Sequence, residues 1–186
     1  MPFAFQRRRG TTAQHASFTG LLGELTVDTD KDTVVVHDGS TAGGFPLARA
    51  SGGTLADTTI RGIEEDINVV ASAATGTINF DVSTASIWYY TSNATANHTL
   101  NFRYSSSVTL NTALPVGDTI TLVWLNTNGA TPYYPSTIQI DGTTVTPKVP
   151  AAITAGNASS IDAFSFTIIK TAANTYTVLE TQTKFA

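Results

Sequence analysis

The sequence contains no cysteine, which excludes disulfide bridges, thiolate nucleophiles and cysteine-ligated zinc. It is also poor in charge, because only 13% of its 186 residues are charged. It has no apolar run near the roughly 18 residues of a membrane span, so we expect no membrane insertion. Residues 1–7 lack the apolar segment of a secretory signal, which predicts assembly in a cytoplasm.

A net charge of −4 gives the chain no general positive field that would gather phosphates, so we expect no nucleic-acid partner. The triplet Arg7, Arg8 and Arg9 is a local exception. Its adjacent guanidinium groups could dock against an acidic surface of a capsid or tail protein. The alternative is a solvated segment without a partner, as short charge runs commonly are.

No motif supports an enzymatic reaction. G-x-S-x-G is missing, and His15, His37 and His98 lack any paired spacing, so we interpret the histidines as surface or interface residues. A glycosidase would need two carboxylates facing a cleft, and the acidic residues of the C-terminal half fall mostly at predicted turns or strand ends. We therefore predict no catalytic residue and no cofactor.

The aspartates Asp28, Asp30 and Asp32 imitate the opening of a calcium-binding loop. Such a loop needs glycine at its sixth position and glutamate at its twelfth, where this sequence has Thr33 and Gly39. The three aspartates therefore favour a solvated hairpin turn, and we predict no metal site.

Residues 1–48 are predicted to form a small β-hairpin or β-prism module. Apolar and polar residues alternate over 23–28, a turn follows at 29–32, and β-branched residues return over 33–37. Val27, Val34 and Val36 form a narrow apolar face that suits packing about a threefold axis. A unit this small buries too little apolar surface to fold alone, which predicts association with copies of itself.

Residues 49–74 are rich in small polar residues and are predicted to be a linker, although 63–71 could form a helical turn or the start of a strand. Residues 75–186 show short alternating segments without a long helix between them, which predicts an antiparallel, jelly-roll-like β-sandwich in an all-β protein. The predicted strands are 77–82, 86–91, 98–104, 119–126, 137–141, 163–170 and 175–181.

Aromatic residues are the candidates for contact with a host glycan or a protein partner. Trp88 and Tyr90 share one face of a predicted strand, and Tyr89 lies on the other, so one of the two faces belongs to the core. Tyr133 and Tyr134 lie between prolines in a predicted loop. Packing in the core or in a trimer is the alternative for Trp88, Tyr133 and Tyr134.

Three segments carry a family resemblance: RRGTTAQHASFTG at 8–20, GELTVDT at 23–29 and VHDGSTAGG at 36–44. They resemble the N-terminal module of phage tail-fibre and receptor-binding proteins, the family of the major tropism determinants. The resemblance covers about residues 7–48 and implies a trimer. TLNFR at 99–103, VGDTIT at 116–121 and TQTKFA at 181–186 resemble a domain of marine and cyanobacterial phage structural proteins. The large C-type lectin-like domain of a tropism determinant has no counterpart here.

These observations predict a homotrimeric, non-enzymatic structural protein of a phage virion. Its partners are then its own copies and other virion proteins, with a host surface glycan as a further candidate. A tail-associated fibre or adhesin is the first interpretation, and a capsid decoration (cement) protein is the alternative. A free carbohydrate-binding module is a minor alternative.

Overall fold

The computed structural model describes residues 7–47, 62 and 64–185. The chain divides into two compact units, Met1–Gly62 and Ile63–Ala186, here called the N-terminal and C-terminal units. Within the described residues, neither unit has a helix that is long and apolar enough to cross a membrane.

The N-terminal unit is a four-stranded sheet with one short helix. Thr11 caps the helix: its side chain accepts a hydrogen bond from Gln14 N–H, and the Gln14 side chain accepts one from Thr11 N–H. The strand order is β1-β2-β3-β4, with β1 and β2 parallel and the other neighbours antiparallel. The elements are β1 (Arg9–Gly10), α1 (Thr12–Ala16), β2 (Leu25–Asp28), β3 (Thr33–Val36) and β4 (Phe45–Pro46).

The predicted hairpin of this unit is present as β2 and β3. Its turn is organised by Asp28, whose carboxylate accepts the backbone N–H groups of Asp30 and Lys31 and the hydroxyl of Thr12. Asp32 adopts a left-handed φ of 47° that reverses the chain. The carboxylate of Asp28 is therefore used inside the unit, where it joins the turn to α1.

The C-terminal unit consists of two sheets, with strand orders β11-β10-β8-β6 and β13-β12-β9-β7-β5. Phe102 packs against Phe166 of the facing sheet, and Phe80 stacks on Trp88 of that sheet. The elements are β5 (Ile67–Ala73), β6 (Gly76–Asp81), β7 (Ile87–Ser92), β8 (His98–Arg103), α2 (Leu110–Ala113), β9 (Thr119–Thr127), β10 (Pro135–Ile140), β11 (Thr143–Val145), β12 (Ile161–Ala172) and β13 (Thr175–Phe185).

The all-β, sandwich-like prediction is confirmed, but the prediction of purely antiparallel sheets is wrong. From β5 to β10 the chain alternates between the two sheets, so each strand returns beside the strand two before it. The pairs β5/β7, β7/β9, β6/β8 and β8/β10 are consequently parallel. Parallel neighbours need a crossover connection, and here a strand of the facing sheet supplies it instead of a helix.

The seven strands predicted between residues 77 and 181 are present with small shifts at their ends. The short β11, at the edge of one sheet, was not predicted, and neither were the two-residue strands β1 and β4. Strand β5 lies within 49–74, where we expected a linker and left the start of a strand open for 63–71. Strand β5 has no fully buried residue, so its sequence carries little of the apolar alternation that identifies a strand.

Candidate functional site

The interior of the N-terminal unit is polar. Among residues 7–47, Val35 is the only large apolar side chain that is fully buried. The other buried side chains are those of His15, Thr26, Asp28 and His37. The prediction of surface histidines is therefore wrong for His15 and His37, and also for His98 in the C-terminal unit, which is 2% exposed.

A directed chain of hydrogen bonds joins the two histidines. Gly20 N–H donates to His37 Nδ1, and His15 Nδ1 lies 3.0 Å from the carbonyl oxygen of Thr11, which can only accept. Between them, Thr26 Oγ1 lies 2.9 Å from His37 Nε2 and 2.8 Å from His15 Nε2. The two ends assign the tautomers: His37 Nε2–H donates to the hydroxyl, and the hydroxyl donates to His15 Nε2.

The close fit around His37 requires glycine at two positions. A Cβ atom at Gly20 would lie 2.5 Å from His37 Cγ, and one at Gly44 would lie 2.7 Å from His37 Nδ1. Gly44 also has a left-handed φ of 59°. The two glycines let the backbone pass close to the imidazole of His37. The hydrogen bonds from His37 through Thr26 to His15 then join helix α1 to strands β2 and β3.

The opposite face of the sheet is apolar, and residues 7–47 do not cover it. Because strand residues alternate between faces, the inward Thr26 and Val35 place their neighbours outward. Cross-strand partners share a face, and Leu25 pairs with Val36. We call this surface the open face, and it consists of Leu25, Val27, Val34, Val36, Phe45 and Leu47.

The three valines predicted to pack in a trimer all lie on the open face. Val27 pairs directly with Val34, and Val36 pairs with Phe45 of β4. The valines are partly buried, whereas Phe45 is 54% exposed. The placement agrees with an apolar strip suited to association, and the trimer contact itself stays a prediction.

The arginine triplet lies at the start of the described residues, and Arg9 begins β1. Arg8 forms a 3.2 Å ion pair with Glu24, and its guanidinium lies 4.7 Å from the ring centre of Phe18. Arg8 and Arg9 also line a cavity of about 250 Å³ next to His15. Part of the triplet is thus engaged inside the unit, and its docking role stays a prediction.

The predicted aromatic contact residues are not brought together on one surface. Trp88 is only 8% exposed and stacks on Phe80 with ring centres 5.0 Å apart, so it belongs to the core and the expectation of an outer contact is corrected. Tyr133 and Tyr134 are partly buried and pack against the same core. The backbone N–H of Tyr133 donates to Asn128 Oδ1, which holds this segment in place.

Several ionisable groups have shifted pKa values. Burial opposes ionisation of Asp28, but hydrogen bonds from Thr12 and the turn hold its pKa below the ordinary value. Burial lowers the pKa of His98 to about 4 and raises that of Glu180 to about 7. Burial also raises the pKa of Asp162. The buried groups of the C-terminal unit lie apart in sequence, so no motif indicated them.

A cavity of about 620 Å³ lies at one end of the five-stranded sheet, and the sequence analysis did not find it. It is formed where β7 and β9 end, β12 begins and β13 ends. We call it the end cavity. Its lining residues come from four separate parts of the chain, which explains why no local pattern indicated it.

Comparisons with known proteins show that the N-terminal unit is similar to the N-terminal module of phage tail-fibre proteins. The family model described as the major tropism determinant N-terminal domain matches residues 6–41. The tail fiber receptor-binding protein of Bordetella phage BPP-1 is 53% identical over 87 residues, which is 47% of this chain and 22% of that protein. The predicted resemblance of the N-terminal module is therefore confirmed.

Solved structures of the major tropism determinant also match a part of this chain. The I1 and P3c variants are each 78% identical over 24% of this chain and 12% of theirs, with a TM-score of 0.24. The chain thus spans about a fifth of the curated relative and about an eighth of these structures. The matched relatives are tail-fibre proteins, which are virion components, and their names state no enzymatic activity.

Proposed function

We propose that the protein is a homotrimeric structural protein of a bacteriophage tail. In this proposal the N-terminal unit holds three copies together and attaches them to the particle, and the C-terminal sandwich projects outward. The relationship to a tail fiber receptor-binding protein supports the tail location. The observation that carries the trimer is the reversed polarity of the N-terminal unit, with a hydrogen-bonded interior and an apolar open face.

Association follows from the energetics of that unit. The one valine that is buried among residues 7–47 contributes little hydrophobic stabilisation, and the buried hydrogen bonds there contribute only about 1 kcal/mol each. Six apolar side chains lie on the open face, and completing the burial of each contributes on the order of 1 kcal/mol. Packing three open faces together therefore supplies the core that one copy lacks.

The oligomeric state tests this proposal. Light scattering on the full chain should give three times the chain mass of 19.6 kDa. Val34→Glu places a charge in the centre of the open face and should shift the protein toward monomer, whereas Ala42→Glu, on an exposed loop of the same unit, should leave the trimer intact. A monomeric natural protein, or a trimer that survives Val34→Glu, contradicts the proposed interface.

Electron microscopy of particles tests the location. Particles produced with and without this protein should differ in density at the tail. Density lost from the capsid faces would instead favour the decoration protein considered from the sequence. Particles with no difference would remove the virion assignment altogether.

A further inference from the structure

The end cavity has the character of a site for an uncharged polar ligand. Its volume of about 620 Å³ lies within the range of small-molecule sites, roughly 300–1,000 Å³. Among the residues that line it, amide and hydroxyl side chains predominate and none is charged. A phosphate or carboxylate ligand would find no cationic partner there, and a hydrocarbon ligand would leave these polar groups unpaired.

Two polar side chains and one aromatic ring at this cavity are available to a ligand. The Asn93 carboxamide and the Ser159 hydroxyl are exposed and make no hydrogen bond within the described part of the chain. The Asn93 side chain lies against Gly129, where an added Cβ would come within 3.0 Å of its amide nitrogen. Phe185 lines the cavity at the end of β13 and is 54% exposed.

The cavity walls are held rigidly. Ser159 N–H donates to the carbonyl of Gly129 at 2.8 Å, and Asn128 N–H donates to that of Ser160 at 2.9 Å. Asn157 Nδ2 donates to the carbonyl of Phe185. Ser159 itself has a left-handed φ of 53°, an uncommon conformation for a non-glycine residue that is found preferentially at functional sites.

A buried polar network fixes the cavity wall from behind. Asn128 Oδ1 accepts hydrogen bonds from Asn126 Nδ2 and from Tyr133 N–H, and Asn128 Nδ2 donates to Asp162 at 3.1 Å. The same Asp162 oxygen accepts the backbone N–H of Asn157 at 2.7 Å. These contacts fix both loops that form the cavity, and such support is what a pre-organised binding site requires.

We propose that the end cavity binds a neutral saccharide. The aromatic face of Phe185 packs against the apolar C–H face of a sugar ring, while Asn93 and Ser159 exchange hydrogen bonds with its hydroxyl groups. This inference rests on the proposed outward position of the C-terminal unit, where the available saccharides are those of the host surface. The binding site itself is a property of the soluble protein.

The test uses the labelled full chain on an array of bacterial surface oligosaccharides, followed by titration calorimetry with the best-bound neutral oligosaccharide. Phe185→Ala should weaken binding by about tenfold, the effect of losing one aromatic stacking contact. Asn93→Ala should weaken it as well without affecting folding, because that side chain is exposed and makes no hydrogen bond to any residue that the structure describes. Tyr104→Ala, which removes another exposed aromatic ring away from the cavity, should bind as the natural protein does.

Several outcomes overturn the proposal: retention of no neutral glycan, unchanged binding by both cavity variants, or an equal loss in Tyr104→Ala. Retention of charged glycans alone would contradict the predicted ligand class. Because binding is measured in solution, it separates this inference from the virion assignment, which the particle experiments test independently.

Discussion

Replacing Glu180 by glutamine should stabilise the C-terminal unit at alkaline pH and leave it unchanged at acid pH. Glu180 lies on β13 opposite Phe166 of β12 and is 5% exposed, and its Oε1 has no hydrogen-bond partner among the described residues. Burial raises its pKa from 4.5 to about 7. Between these pH values the folded chain retains a proton that the unfolded chain has lost, so the free energy of unfolding falls as pH rises.

The size of the stability change follows from the rise in the pKa of Glu180. A pKa raised from 4.5 to about 7 corresponds to at most about 3 kcal/mol of stability lost above pH 7. Glu180 also lines a cavity that is open to solvent, and water there reduces the penalty, so we expect about 1–2 kcal/mol. Glutamine keeps the shape of the protonated acid and cannot ionise.

Urea unfolding at pH 4, 6 and 8 measures the effect, because Trp88 and Trp124 lie in the core of the C-terminal unit and report its unfolding by fluorescence. The natural protein and Glu180→Gln should agree at pH 4 and diverge at pH 8. Glu64→Gln, a change at an exposed carboxylate, should follow the natural protein at every pH. Equal pH profiles for Glu180→Gln and the natural protein would refute a buried, protonated Glu180.

Three further predictions follow from the same contacts. Because burial lowers the pKa of His98 from 6.5 to about 4, its contribution to stability is complete above pH 6.5 and is lost as pH falls toward 4; between pH 4 and 6.5 the natural protein should therefore gain stability relative to His98→Gln in urea unfolding, and parallel profiles would contradict this. Thr26→Val removes the hydroxyl between the two histidines and should destabilise the N-terminal unit by about 1–3 kcal/mol for each buried group left unpaired, seen as faster amide hydrogen exchange in β2 and β3, with Thr26→Ser as the matched control. Replacing all three arginines at positions 7–9 by alanine should abolish incorporation into particles while urea unfolding of the C-terminal unit is unchanged, and normal incorporation would remove this segment from docking.

In the N-terminal unit, the contacts that specify the fold are different from those that can supply hydrophobic stabilisation. The buried series of hydrogen bonds from His37 through Thr26 to His15 has one arrangement of donors and acceptors. This arrangement fixes the position of α1 against the sheet. Such networks specify a structure but contribute modest net stability. Six apolar side chains lie on the open face instead, so in the proposed trimer the stability of the unit depends on assembly.

The local sequence pattern determined where most strands lie and which residues share a face of a strand. Alternation with a period of two identified the hairpin of β2 and β3, and it also placed Val27, Val34 and Val36 on one face. The same period identified β12, whose buried Phe164 and Phe166 alternate with less buried neighbours. The N-terminal segments were distinctive enough to indicate a phage tail-fibre module, which the family match supports.

Tertiary structure decided which strands are neighbours and which side chains each strand face packs against. The parallel winding of β5 to β10 depends on pairing between segments distant in sequence, which local alternation does not encode. His15 and His37 are buried because each finds a partner in Thr26, and Trp88 is buried because its face of β7 meets the opposite sheet. The end cavity exists only where four chain segments converge. Sequence fixes the period of a strand, but only the packed fold brings together groups that are far apart along the chain.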